Sequence, residues 1–332
     1  MEGRVRRRDF IGAIAGSAVA WPITTLAQQP AMPVVGYLGG ETPERFATRL
    51  SAFRQGLSAT GFDEGRNVAI EYRWAEGQID RLPTLAADLV RRQVTVIATP
   101  GSGVAALAAK AATATIPVVF ETGLDPIAAG LVKSLNRPEG NITGITSLNT
   151  VFSSKGLELL HELVPQGKSF AVFVNPANSV NTNAIMKNLE APALARALQL
   201  HVLNVSNERD FDSVFERLVQ LHAAGLIIPA DTIFNSRAQQ LAALTLKHAM
   251  PAVHSVREFA VTGGLMSYGG DLKETHRQAG IYTGRVLKGE KPADLPVQQV
   301  TKVEFVINLK TAKALGLIVP NTVIGRADEV IE

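Results

Sequence analysis

The chain has no cysteine among its 332 residues. That excludes disulfide staples, a thiolate nucleophile and any cysteine-held metal or iron–sulfur centre. It also excludes a lipoprotein anchor, which needs a cysteine just after its signal. Long apolar runs are missing as well. No segment offers about 18 unbroken apolar residues, so no spanning helix is expected. Aromatics are sparse, at 6%, within a hydrophobic fraction of 46%, which is ordinary for an α/β protein. The histidines (His161, His201, His222, His248, His254 and His276) show no metal spacing such as H-x-x-x-H or H-E-x-x-H. Gly101-Ser102-Gly103 is not the G-x-S-x-G nucleophile elbow. No P-loop and no G-x-G-x-x-G follows a strand-like run. An enzyme reading therefore has little to stand on, and no cofactor or metal is expected.

What is present begins at the N-terminus. A basic head ends at Arg6-Arg7-Arg8, a mild apolar run spans Ala13 to Ala20, and Thr25-Leu26-Ala27 supplies a small-x-small end. This is the pattern of an export signal over residues 1–27, cleaved after Ala27. Arg7-Arg8-Asp9-Phe10-Ile11 matches the core of a twin-arginine signal, although Arg6 and Gly12 depart from the usual flanks and leave the Sec route open. Removing the signal leaves 29 basic and 28 acidic residues, with no basic tract for nucleic acid. The mature chain is expected to be soluble, unanchored, monomeric and periplasmic. Its length of about 305 residues suits two domains.

Apolar β-branched runs alternate with amphipathic segments. Val34–Leu38, Val68–Tyr72, Val94–Ala98 and Pro117–Phe120 read as strands buried on both faces of a parallel sheet. Phe46, Leu50, Phe53 and Leu57 mark one helical face, with Thr42-Pro43 as its opening. The series repeats about 132–137 residues later at Ala171–Val174, Val202–Val205, Leu226–Ile228 and Met250–Val253. The expected fold is α/β: two doubly wound parallel-sheet lobes joined by three hinge crossovers. The lobes are residues 33–147 plus 270–297, and 148–269 plus 298–332. The hinges are expected near Ser147–Leu148, Tyr268–Gly270 and Val297–Gln299.

In open parallel sheets, ligands bind beyond the carboxyl ends of strands. The first lobe presents Gly39 and Gly40, then Thr99, Gly101 and Ser102, then Thr122 and Asp125. The second presents Asn175 and Asn178, then Asp231, then Ser255, with Tyr268 on the Gly-bracketed segment. Taken singly, each Gly, Ser, Thr or Asp is a turn or cap residue. As a set on one edge of two facing lobes they describe a ligand cleft. Strand-to-helix turns there expose N–H groups that suit an anionic group. Ser102 and Asp231 are expected on opposite walls. Asp125 and Asp231 are candidates for holding an ammonium, Tyr268 and Phe234 for an apolar wall, and His254 for the cleft lining.

The mature chain resembles, over nearly its whole length, the exported ABC-transporter substrate-binding proteins of the tryptophan/tyrosine-type family. The matching stretches include Pro33–Gly39, Ala111–Phe120, Asp125–Val132, Leu135–Gly144, Phe234–Arg237, Gly263–Gly269, Tyr282–Gly289 and Leu309–Gly316. The resemblance implies a type I periplasmic-binding-protein fold, a small ligand such as an amino acid or other small carboxylate, and delivery to an inner-membrane ABC permease with its ATPase. It implies no catalysis and no metal. Glu121 and Thr122 depart from it, standing in a loop often filled by small apolar residues. A ligand-sensing module for a membrane receptor, or an enzyme on the same fold, are the alternatives.

Overall fold

The computed structural model describes residues 32–147, 152–300 and 302–332. The export signal expected over residues 1–27 and the hinge residue Leu148 lie outside the described residues. The strands are β1 (Val34–Gly39), β2 (Ala69–Trp74), β3 (Val96–Thr99), β4 (Val118–Thr122), β5 (Ile142–Thr146), β6 (Ser169–Val174) and β7 (Gln199–Asn204). They continue with β8 (Gly225–Ile228), β9 (Ala252–His254), β10 (Met266–Gly270), β11 (Gln298–Gln299), β12 (Val303–Asn308) and β13 (Glu329–Ile331). They form two sheets, ordered β11-β5-β4-β3-β1-β2 and β13-β12-β10-β9-β8-β6-β7.

The first sheet is parallel throughout. Its central strands β3, β4 and β5 are buried residue for residue. That is why their sequences are continuous apolar runs rather than alternating ones. One face packs Leu38, Ile97, Val118 and Phe120 against Leu82, Ala86, Ala105 and Ala109 of the helices Leu82–Arg91 and Gly103–Ala112. The other packs Val35, Tyr37, Val96 and Val119 against Leu50, Phe53, Ala279 and Tyr282. The second lobe has the same two-sided core, around Phe170 and Val172 on one face and Ala171 and Phe173 on the other. The chain crosses between sheets three times: after β5, after β10, and between β11 and β12.

Four sequence expectations are corrected. The second sheet is mixed: β12 runs antiparallel to β10, with Gly270 opposite Val303. The chain leaves β10 at the hinge edge and re-enters at that edge, so β12 can only run away from it. Met266–Gly270, expected as a short hinge-like strand, pairs with β9 and β12, so Gly270, assigned to the first lobe, belongs to the second sheet. Gln298–Gln299, assigned to the second lobe, pairs with Ile145–Thr146 of the first. Thr42-Pro43 opens a turn, closed by Phe46 N–H donating to Thr42 O at 3.2 Å, and the helix proper is Ala47–Ser58.

The helix Leu272–Leu287 follows the second lobe in sequence but packs on the first, against Ala47–Ser58. Glycines let the two backbones touch. A Cβ at Gly280 would stand 2.0 Å from Phe53 O, and one at Gly56 1.9 Å from Arg277 O. Gly280→Ala is expected to lower stability by about 1–3 kcal/mol through overpacking, read by urea unfolding. An unchanged midpoint would show that the helices slide apart freely.

Candidate functional site

Each sheet places its second strand outside its first and its third inside, the 2-1-3-4-5 winding whose crevice lies beyond the carboxyl ends of the strands. The loops after β1, β3 and β4 meet those after β6 and β8. Between them is a cleft cavity whose empty space, open solvent at its mouth included, is about 490 Å3. The first lobe lines it with Arg49, Gly101, Glu121, Thr122, Leu124 and His276, and the second with Asn178, Asn181, Asp231, Thr232 and Asn235. A neighbouring cavity of about 420 Å3, open solvent likewise included, shares Asp231 and Thr232 and is lined by Gly40, Glu41, Ser102 and Asn175.

The lobes touch across this cleft. Arg49 Nη2 donates to Asn235 O at 3.3 Å, and Thr232 Oγ1 to Gly101 O at 3.4 Å. Arg237 of the second lobe reaches Glu41 of the first at 3.3 Å and Glu208 at 2.8 Å, while Arg45 reaches Glu208 at 3.0 Å. Glu41 is 1% exposed. Burial pushes its carboxyl above the usual range, and Arg237 and Arg45 oppose that rise.

The sequence-expected residues divide. Gly101 lines the larger cavity at φ +82°, with room for no Cβ: one would stand 2.9 Å from the Phe46 ring and 3.1 Å from His276 Nε2. Ser102 faces the smaller cavity opposite Asp231 and caps the helix Gly103–Ala112, its Oγ accepting the Ala105 N–H at 3.2 Å. Ser102→Ala is expected to cost about 1 kcal/mol, measured by thermal melts. An unchanged melting temperature would show that the cap contributes nothing. Thr122 lines the larger cavity while its Oγ1 accepts the Leu124 N–H at 3.1 Å. Gly40 and Asn175 line the smaller cavity and Asn178 the larger.

Gly39 and Thr99 line neither cavity. Gly39 packs under Trp74, where a Cβ would stand 2.3 Å from the ring, and Thr99 is buried at the end of β3. Asp125 is exposed and caps its own turn, accepting the Ile127 N–H at 2.9 Å and the Ala128 N–H at 3.3 Å. It does not pair with Asp231. Ser255, Tyr268 and His254 line a separate, small apolar pocket of the second lobe. His254 is held neutral by burial, at about 3. Phe234 is core rather than cleft wall.

Asp231 differs most from expectation. It is 5% exposed and accepts from four donors. These are the amides of Asn175 at 3.2 Å, Asn178 at 2.8 Å and Asn181 at 3.2 Å, and the Ile233 N–H at 3.1 Å. Burial pushes its carboxyl up and the amides pull it back. A carboxylate offers about four lone-pair positions, so Asp231 is fully engaged. It holds three asparagines in place while lining both cavities.

The cleft residues not anticipated are Arg49, Glu121 as a functional group, Asn181, Asn235 and His276. Arg49 sits one turn after Phe46 on the inward face of Ala47–Ser58, with its guanidinium 5.0 Å from the Phe46 ring. That inward position was readable from the Phe46–Leu50–Phe53 spacing. His276 comes from the helix contributed late in the chain, and only that helix's packing on the first lobe puts it in the cleft.

Comparison with known proteins agrees with this geometry. The chain is 27% identical over 268 residues to a tyrosine-binding protein of Clostridioides difficile, covering 80% of this chain and 75% of that one. Among solved structures, it resembles a conserved domain protein of Vibrio cholerae with a TM-score of 0.81 at 26% identity, covering 90% of this chain and 99% of that one. It resembles an ABC domain of Streptococcus pneumoniae in complex with L-Trp with a TM-score of 0.80, at the same identity and coverage. The ABC transporter substrate binding protein family model matches residues 41–331. A two-lobed α/β chain with its cleft at the strand ends, matched over nearly its whole length by that model, belongs to the ABC transporter substrate-binding proteins, which bind a small ligand and deliver it to an ABC permease.

Proposed function

We propose that this chain is an exported solute receptor that closes two lobes on one amino acid or other small carboxylate and passes it to an inner-membrane permease. The cleft lining supports this reading most. Arg49 donates to Asn235 O and carries further N–H groups beside the cavity, enough for a carboxylate. The cleft binds and releases its ligand without turnover. The tyrosine-binding relative and the L-Trp complex make an aromatic amino acid the first class to try. Export through the twin-arginine signal at Arg7-Arg8, cleavage after Ala27, and a free monomer in the periplasm complete the proposal. In support, no helix among the described residues is long and apolar enough to cross a membrane.

Native mass spectrometry of protein recovered from the periplasm, compared with the same sample denatured, tests the reading. A single small carboxylate released on denaturation is expected. A neutral or polymeric ligand, or conversion of the compound on incubation, would contradict it.

A further inference from the structure

Glu121 stands at the end of β4 on the sheet face that carries Tyr37 and Val119. The helices Ala47–Ser58 and Leu272–Leu287 cover that face and bring Arg49, Thr275 and His276 to it. The side chains of Glu121 and His276 are 2% and 1% exposed, and both residues line the larger cavity. His276 Nδ1 lies 2.7 Å from Leu272 O, so Nδ1 carries the proton and Nε2 offers a lone pair. Nδ1 is 3.8 Å from Glu121 Oε2, beyond hydrogen-bond distance. Neither Glu121 Oε2 nor His276 Nε2 has a hydrogen-bond partner among the described residues.

Two buried acceptors on residues that line one cavity, both unserved, suit a donor with more than one hydrogen. A carboxylate or phosphate there would meet lone pairs. A neutral hydroxyl brings only one hydrogen. We propose that Glu121 Oε2 and His276 Nε2 form a seat for a primary ammonium group of the ligand, making a free amine a condition of binding.

This rests on the reading of the cleft as a ligand site and narrows its ligand class. The remaining charged groups fit. Arg49 is a cation suited to the ligand's carboxylate end. Tyr37 is buried and its hydroxyl stays protonated. From the second lobe, Asp231 faces the cavity with its oxygens already engaged. Burial raises the Glu121 carboxyl to about 7, against the Gly101 N–H, the Thr275 hydroxyl and the Arg49 charge. Burial holds His276 near 3, a neutral acceptor. An arriving ammonium favours the Glu121 carboxylate and expels its proton. Affinity for an amine should then rise with pH, by about 100-fold from pH 5 to pH 8, and level off above 7.

The test is calorimetry on the whole mature chain with the common L-amino acids, their des-amino acids and their N-acetyl derivatives, from pH 5 to pH 8. Every binder is expected to carry a free amine, and removing or acetylating it should weaken binding at least tenfold. Glu121→Gln should lose at least tenfold and flatten the pH profile. His276→Gln, carried in parallel as a second route to the same seat, should weaken binding while keeping the pH slope. Des-amino or N-acetyl compounds binding as tightly as their parents, or a flat wild-type pH profile, overturns the seat and leaves the receptor reading standing. Failure of every amine to bind also overturns the seat, and the receptor reading is then decided separately by the co-purified compound.

Discussion

Asp231→Ala is expected to lower folding stability by about 3–5 kcal/mol, because it strips their acceptor from buried donors that have little else. The amides of Asn175 and Asn178 and the Ile233 N–H lose their partner, while Asn181 keeps Ala230 O at 2.7 Å. Part of the cleft lining should disorder with the loss, so ligand affinity falls as well. Urea unfolding of ligand-free protein measures the first effect and calorimetry the second. Asp231→Asn should recover only a fraction, since it replaces two acceptor oxygens by one. A stability within about 0.5 kcal/mol of wild type, the usual range for an unimportant surface site, would show that the asparagines hold themselves in place.

The second large effect concerns pH. The folded Glu121 carboxyl lies at about 7, above its ordinary 4.5. A carboxyl raised on folding stabilises the fold below its unfolded value, and that contribution is lost as pH rises through the folded one. The window is therefore about 4.5 to 7, and the loss across it is on the order of 3 kcal/mol. Glu121→Gln removes the titration. Relative to wild type, the variant should gain that amount between pH 4.5 and pH 8, without ligand. His254 and His276, both held near 3 by burial, act in the opposite direction: their stability is present above 6.5 and is lost as pH falls. His254 acts equally in both proteins, while His276, 3.8 Å from Glu121, is coupled to it, so the comparison is made in a His276→Gln background. A gap between the two proteins that stays constant with pH would mean that water reaches the carboxylate.

The fold was legible because inner parallel strands covered on both faces must be continuously apolar, and a series of four runs recurs at one spacing, although its second members, β2 and β7, are edge strands that are half-buried or partly exposed. Val34–Leu38 and Ala171–Val174 could be aligned with no other information. The edges were less legible. Gln298–Gln299 is too short and polar to declare a sheet, and Met266–Gly270 resembles a hinge because glycines bracket it. The cleft was legible as a set of loops and poorly legible as side chains. Strand-end turns fix where Gly101, Ser102 and Asn178 lie. Whether a carboxylate points inward depends on local turn closure: Asp125 turns back on the Ile127 N–H, while Glu121, four residues earlier, stays on the strand and points under two helices. His276 required knowing that a helix 155 residues further along packs beside β4, where Ala279 and Tyr282 meet the sheet and Gly56 and Gly280 let the helix lie against Ala47–Ser58.

The central claim is that one small amine-bearing carboxylate is held between the lobes. A crystal structure of the mature protein grown with an equimolar mixture of the common L-amino acids tests it most directly. The account predicts density for one amino acid between the Gly101 loop and Asn178, with its ammonium on Glu121 and His276 and its carboxylate toward Arg49. Density confined to the second-lobe cavity beside Tyr268, or an amino acid bound with its carboxylate against Glu121, would contradict it.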